Sequence, residues 1–453
     1  MSEHSGQATA AAPSTKADAG PGTSPVSTAE KAMLWVTYMA VPLLIYWVSA
    51  VAPHSPLNDV QSVYFGWMQD VLRGQAPGIS SEFVYPALAL VPMWLAAVIG
   101  ELLGRGTLTS ETFTMGWVAV MVAANCAALA FLLSREGSAS RRAATAAWWW
   151  IAFFALLGPV GLGRLDGFTA PLAIIGTLLV MSHPTSAGAI LTALAWCKVW
   201  TAAPFAAAVA LVRSNRSRML AAGLLVSLVV VVTVSVLGGA EHVFGFITKQ
   251  SGRGLQAESV LATPFIWLAA LGVEGYFVAF DGQIITFQVY GEGTDFVASL
   301  STPLMLFSSV ALVWLAVARM RWGVPAAELL PTLATGLTMV LIVTNKVGSP
   351  QFAAWTGAVI AIVIASRGLG RAWLAIAGLA ISIFTQAIYP WTYDSITATD
   401  PLGALLLTIR NLVYIGVLVW SAREITLTAP GRPTRSAAPA ASRRENRRAR
   451  TAK

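Results

Sequence analysis

Asp59 is the residue whose position first suggests chemistry. It lies in Asn58-Asp59-Val60-Gln61-Ser62-Val63-Tyr64, where the chain leaves its first membrane-length apolar run, and Arg73-Gly74 and Phe83-Val84-Tyr85-Pro86 follow. Only 11% of the 453 residues are charged, so an acid at a membrane exit stands out. A carboxylate there can take the proton of a water-soluble hydroxyl while that hydroxyl attacks a membrane-dissolved substrate. Arg253, between glycines in a polar loop, and Lys346, in a later loop, are candidates to bind a departing phosphate. A guanidinium grips phosphate oxygens in bidentate fashion and an ammonium acts as a point charge. Lys198 lies within apolar Leu191 to Leu211, where a charge costs roughly 2.5–3.5 kcal/mol, so it should face a polar cavity or pair with an acid such as Asp166.

Each of these residues also has a plainer reading. Asp59 suits the N-cap of a helix beginning near Val60. Arg253 and Lys346 sit where snorkelling cations and helix-end caps are common. Asp166, two residues from Arg164, is expected to form a structural ion pair with it. Tyr64, Trp67 and Tyr85 can stack on a sugar face or simply anchor at the interface. Gln256 and Glu258 can hydrogen-bond hydroxyls.

The elements that position these groups are membrane helices. Hydrophobic residues make up 56% of the chain, and apolar stretches of about 18 or more residues recur. Runs such as Met219 to Leu237 are apolar throughout, which excludes the short alternating strands of a membrane barrel. The fold class is therefore an all-α polytopic membrane protein. The net charge of +8 does not point to nucleic acid, because positions 429–453 carry +7 of it. We expect a disordered cytoplasmic leader at 1–32, a transmembrane catalytic domain at 33–420 and a basic disordered cytoplasmic tail at 421–453 that meets anionic lipid. Cys126 and Cys197 lie in apolar segments and His4, His54, His183 and His242 are scattered, so neither a metal site nor a disulfide is expected.

Walking back from the basic tail, the positive-inside bias places Arg367 to Arg371, Arg319 to Arg321, Arg213 to Arg218 and Arg135 to Arg142 inside. Asp59, Arg164, Asp166, Arg253, Glu258 and Lys346 then fall in external loops, so the chemistry is expected to be extracytoplasmic with both termini cytoplasmic. This bookkeeping leaves about twelve crossings (11–13) only if segment 86–103, interrupted by Pro86 and Pro92, is re-entrant. Pro264 to Leu271 is too short to cross. Gln283 to Tyr290 alternates like an external hairpin, with Asp281 and Asp295 as turn residues.

At this point a resemblance emerges. Asn58-Asp59 through Tyr64, with Arg73-Gly74 and Tyr85-Pro86, resembles the first external loop of bacterial GT-C glycosyltransferases, particularly glycosyltransferase family 87. Gly163-Arg164-Leu165-Asp166, Arg253-Gly254-Leu255-Gln256-Ala257-Glu258-Ser259 and Asn345-Lys346-Val347-Gly348-Ser349-Pro350-Gln351 resemble its further motifs, in the same order. Ala87 after Tyr-Pro and Phe352 after Ser-Pro-Gln depart from the usual Pro and Tyr.

The resemblance implies a GT-C fold and an inverting transferase. It would move a sugar, mannose in the first instance, from a polyprenyl-phosphate donor to an extracytoplasmic glycolipid or glycan, with Asp59 as general base. It implies Arg253, Lys346 and Lys198 at the donor phosphate, and Tyr64, Tyr85, Gln256, Glu258 and Asp166 at sugar or acceptor. No cofactor and no metal are implied, and the partners are donor, acceptor and the lipid bilayer. An arabinofuranosyl donor is the alternative within the family. A transporter or lipid flippase is the alternative of another class, although no inverted repeat is evident and the ionisable residues gather in external loops.

Overall fold

The computed structural model describes residues 26–251, 253–282, 284, 286–370 and 372–430. Most of the expected leader and basic tail lies outside the described residues. Helix begins at Thr28 and persists to Leu427, beyond the expected 33–420 limits at both ends. Ser27 accounts for the early start: its hydroxyl oxygen accepts the Glu30 N–H and so caps the first turn.

In chain order, α1 (Thr28–Val51) leads to a π-helical turn (Asp59–Tyr64) and α2 (Phe65–Leu72). A 3-10 turn (Ala87–Ala89) opens α3 (Leu90–Leu103), followed by α4 (Ser110–Leu133), α5 (Ser138–Leu157) and α6 (Pro159–Gly163). Next come α7 (Asp166–Leu179), α8 (Pro184–Ala195), α9 (Ala202–Leu211), α10 (Arg216–Val236), α11 (Gly245–Ser251) and α12 (Thr263–Ala270). Two strands, β1 (Phe277–Asp281) and β2 (Thr286–Tyr290), precede α13 (Thr294–Arg321), α14 (Ala326–Val343) and α15 (Phe352–Arg367). The chain closes with α16 (Ala372–Gln386), a second π turn (Ala387–Trp391), α17 (Tyr393–Thr397) and α18 (Pro401–Leu427).

Seven of these elements are long and apolar enough to cross a membrane: α1, α4, α10, α13, α14, the run Ala372–Trp391 and α18. Shorter apolar helices lie among them at Ala87–Leu103, Asp166–Leu179, Pro184–Ala195, Val199–Leu211 and Phe352–Arg367. The architecture is that of a helical, polytopic membrane protein. Its core is α14 and α15. α15 is buried from Phe352 to Ala365 and packs on α5, α7 and α14. Small residues permit this: a Cβ on Gly357 would lie 2.3 Å from the Phe153 ring of α5. The most apolar stretch of α13 is 17% buried against 72% in α14, and Leu306, Phe307, Val310 and Trp314 face outward from α13. Such exposed apolar rows are faces that lipid would cover.

Charges collect at the two ends of the bundle. At one end Arg141 pairs with Glu30 at 2.8 Å and Arg367 with Glu424 at 3.1 Å. α14 runs from Glu328, 3.7 Å from Arg367, to the 345–351 loop, and α15 returns from that loop to Arg367. Asp59, Arg164, Arg253 and Lys346 all belong to the second end.

The proline-interrupted segment 86–103 does not change ends. Tyr85, just before it, lines the cavity that Asp59 also lines. After α3 the chain turns into α4, whose Ser110 hydroxyl donates to the Gln61 carbonyl at 2.6 Å, two residues beyond Asp59. α3 and α4 form an antiparallel pair at backbone contact. A Cβ on Gly116 would lie 2.1 Å from the Ala96 carbonyl oxygen, and one on Gly100 would lie 2.7 Å from that of Thr112.

β1 and β2 form an antiparallel hairpin in which Phe277 faces Tyr290 and Asp281 faces Thr286. The hairpin is expected at 283–290, but its first strand begins earlier, at Phe277. Asp281 and Asp295 are not turn residues. Asp281 ends β1 and accepts the Gln288 amide at 2.7 Å, and Asp295 lies in the first turn of α13, where an acid suits the helix dipole.

Candidate functional site

Asp59 opens the first π turn, a backbone distortion common at functional sites. It is not a helix cap: Asn58, already helical at φ −57° and ψ −35°, takes the capping position without a side-chain bond. Instead the Asp59 carboxylate meets Arg164, with Oδ2 3.1 Å from Nη1. The expected local pair between Arg164 and Asp166 does not form. Arg164 is extended (φ −131°, ψ 148°) whereas Asp166 is the first residue of α7, and the two side chains find different partners.

Arg164 is buried and held by several acceptors. Its Nη1 also donates to the carbonyls of Pro56 at 3.3 Å and Gly163 at 3.1 Å, and Nη2 reaches the Tyr389 hydroxyl at 3.5 Å. The Tyr389 ring, from the second π turn, lies 5.7 Å from the guanidinium carbon. Burial opposes the Arg164 charge, but the Asp59 carboxylate, and after it the Tyr389 hydroxyl, hold its pKa above the ordinary arginine range. The two π turns are thus joined through one cation.

Lys198 occupies the break between α8 and α9 and pairs with Asp166 at 3.4 Å, one of the two roles expected for it. Its ammonium also lies 4.5 Å from the Tyr85 ring centroid. The other Asp166 oxygen accepts the Trp355 indole N–H of α15, and Trp355 stacks on Trp200 at 5.7 Å. This pair is nearly dry, since the Asp166 side chain is 1% exposed and that of Lys198 13%.

The two remaining loops are fastened to each other. Gln256 N–H donates to the Lys346 carbonyl at 2.9 Å, and Gly348 N–H donates to Gln256 Oε1 at 3.2 Å. A Cβ on Gly348 would lie 2.0 Å from the Ser259 nitrogen, so only glycine allows this approach. The 253–259 segment also extends the hairpin: Ala257 N–H donates to Phe287 O at 3.1 Å and Val289 N–H to Leu255 O at 3.0 Å. Beneath it, Glu258 is buried against Arg410 of α18, 2.7 Å away. Burial raises the Glu258 pKa above the usual carboxylate range, and Arg410 only partly offsets this.

These loops surround one cavity of about 1010 Å³. Small-molecule pockets are usually roughly 300–1,000 Å³, so there is room for two reactants. Asp59, Arg164, Lys198, Arg253, Glu258 and Lys346 line it with Trp67, Tyr85, Phe246, Met305, Trp355 and Tyr389. The wall therefore combines an acid, several cations and a large apolar surface. Asp59 keeps a 41% exposed side chain and can accept a proton. Arg253 and Lys346 form the positive wall. Burial lowers the pKa of both, and the like charge of Arg253 lowers that of Lys346 further. Arg253 Nε is buried with no hydrogen-bond partner among the described residues. Cations on one cavity wall, one of them lowering the pKa of the other, favour an anion there.

Not every expected contact residue reaches the cavity. Tyr64 is 1% exposed and packed between Trp67 and Trp117, so it supports the wall rather than lining it. Asp166 lies behind Lys198 and Trp355. Gln256 and Glu258 do line the cavity, where Gln256 Oε1 also accepts from Gly348 and Glu258 is paired with Arg410. His54 pairs with Asp394 at 3.4 Å rather than with Asp59. Among the described residues no His, Cys, Asp and Glu cluster could hold a metal ion. Sequence reasoning missed Arg410 and Tyr389. A buried arginine inside an apolar span was the available signal for the first. The chain matches no protein-family model and no curated protein.

Proposed function

We propose that the chain is a membrane-embedded glycosyltransferase of the GT-C type, related to glycosyltransferase family 87, acting at the extracytoplasmic face. It transfers a sugar, mannose in the first instance, from a polyprenyl-phosphate donor to a glycolipid or glycan acceptor. The observation that carries this reading is the convergence on one cavity of Asp59 with the cations Arg253 and Lys346, from segments nearly three hundred residues apart. Short apolar helices between the long ones, and an α3 that stays at one end, accord with about twelve crossings and a re-entrant segment.

In the proposed reaction the acceptor hydroxyl oxygen forms a bond to the anomeric carbon as the bond from that carbon to the donor phosphate breaks. The hydroxyl proton passes to Asp59, and the bonding electrons leave with the polyprenyl phosphate. Arg253 and Lys346 stabilise the charge that develops on the leaving phosphate. Arg164 fixes one oxygen of the Asp59 carboxylate. This is a single displacement with acceptor and phosphate on opposite faces of the sugar, so the anomeric centre inverts. The apolar wall takes lipid.

The test uses membranes containing the full chain, supplied with radiolabelled polyprenyl-phosphate mannose or arabinose and a panel of glycolipid acceptors. Label should pass to an acceptor, with mannose preferred. Transfer of arabinose alone would move the chain to the arabinofuranosyl reading. Flux of a solute or lipid without any transfer would overturn the enzyme reading in favour of a transporter.

A further inference from the structure

Arg410 is the one arginine buried within α18, a 27-residue apolar helix, and its residue is 2% exposed. A charge at such a place is costly and calls for a compensating role. Both terminal nitrogens lead to one loop, while the Tyr414 ring of α18 lies 5.8 Å from the guanidinium carbon. Nη1 donates to Glu258 Oε2 at 2.7 Å and Nη2 to the Glu258 backbone carbonyl at 2.8 Å, so one planar fork grips the side chain and the main chain of the same residue. Nε donates to Asn411 Oδ1 at 3.3 Å, and the Asn411 amide reaches Thr263 Oγ1 at 2.8 Å and the Ser259 carbonyl at 3.5 Å. The 253–259 segment is thereby held from below by α18. From above it is held by β2 and by the 345–351 loop.

That segment begins with Arg253. Resting on the reading given under Proposed function, we infer that Arg410 is a positioning residue for the donor-phosphate site. It fixes the 253–259 loop through Glu258, so that Arg253 and Lys346 face the same phosphate. Arg410 touches no substrate. A fork that holds a carboxylate and a carbonyl together has no equivalent in lysine, which keeps the charge but makes a single-point contact. Arg410→Lys should therefore loosen the loop while leaving Glu258 paired with a cation.

The test is binding, which does not depend on turnover. Dissociation constants for polyprenyl phosphate, without sugar, are measured on the purified full chain in nanodiscs by intrinsic tryptophan quenching. Arg410→Lys should weaken binding by roughly tenfold, within the range in which residues of one charge network couple. In an Arg253→Ala background the same substitution should change binding by less than about twofold, because the residue it positions is gone. Asn411→Ala, which removes the brace to Ser259 and Thr263 and the acceptor of Arg410 Nε but changes no charge, should weaken binding in the same direction and with the same dependence on Arg253. It serves as the second variant should Arg410→Lys fail to fold. Equal losses in the two backgrounds, or no loss from either variant, would overturn the inference. If wild type binds polyprenyl phosphate in this Arg253-dependent way but transfers no sugar, the proposed activity fails and the positioning role stands.

Discussion

Arg164 meets Asp59 at 3.1 Å, although Asp166 is its near neighbour in the chain. This choice of partner joins the first loop to the turn before α7, and through Tyr389 to the second π turn. The candidate base is thus held by a residue more than a hundred positions away, and Asp166 is released to pair with Lys198. Two ion pairs take the place of one local pair, and both border the cavity.

The Lys198–Asp166 pair carries a stability prediction. Lys198→Met leaves Asp166 uncompensated and 1% exposed, which should cost roughly 3–5 kcal/mol. Adding Asp166→Asn should recover most of that loss, since a neutral amide can still accept the Trp355 N–H. Thermal unfolding in detergent compares the single and double variants. If the double variant is no more stable than the single, the pair is not the source of the loss.

Gly348 sets the approach of two loops. With a Cβ placed 2.0 Å from the Ser259 nitrogen, Gly348→Ala must push the 345–351 loop off the 253–259 segment, at about 1–3 kcal/mol. Arg253 and Lys346 would separate, so binding of polyprenyl phosphate should weaken while the helical circular dichroism signal remains. Unchanged binding would show that the closeness of the loops is incidental.

Lys346 should set the alkaline limb of the proposed activity. Burial, and then the charge of Arg253, lower its pKa below the ordinary lysine value of 10.5. A lowered pKa means that the positive charge is lost earlier as pH rises. The donor KM should therefore climb at a pH where a free lysine would still be charged. Lys346→Arg keeps its charge throughout and should remove that limb. Identical alkaline limbs in the two proteins would place the titration elsewhere.

Several of these relationships were legible in the amino-acid order, and others were not, for physical reasons. Asp59, Arg253 and Lys346 could be singled out because charged residues are rare and loop positions expose them. The Lys198–Asp166 pairing followed from the cost of a lone charge in an apolar run. The hairpin could be read from its alternation, but not its start, because Phe277 to Phe280 is apolar without alternation and Asp281-Gly282-Gln283 separates it from the later stretch. The partner of Arg164 was hidden because proximity along the chain suggested Asp166, and backbone angles, which sequence does not print, set the directions of the side chains. The anchoring of Gln256 and Glu258 was hidden because their partners, Gly348 and Arg410, lie about 90 and 150 residues onward. Such long-range contacts have no local signature.

The most direct measurement is the rate of sugar transfer by purified Asp59→Asn in proteoliposomes, taken together with its affinity for polyprenyl phosphate. Asparagine matches the carboxylate in size but cannot take the proton. Transfer should fall by about 10²–10⁴-fold, the usual contribution of a positioned general base, with binding of polyprenyl phosphate close to wild type. Transfer at the wild-type rate would contradict the assignment of Asp59 as the base.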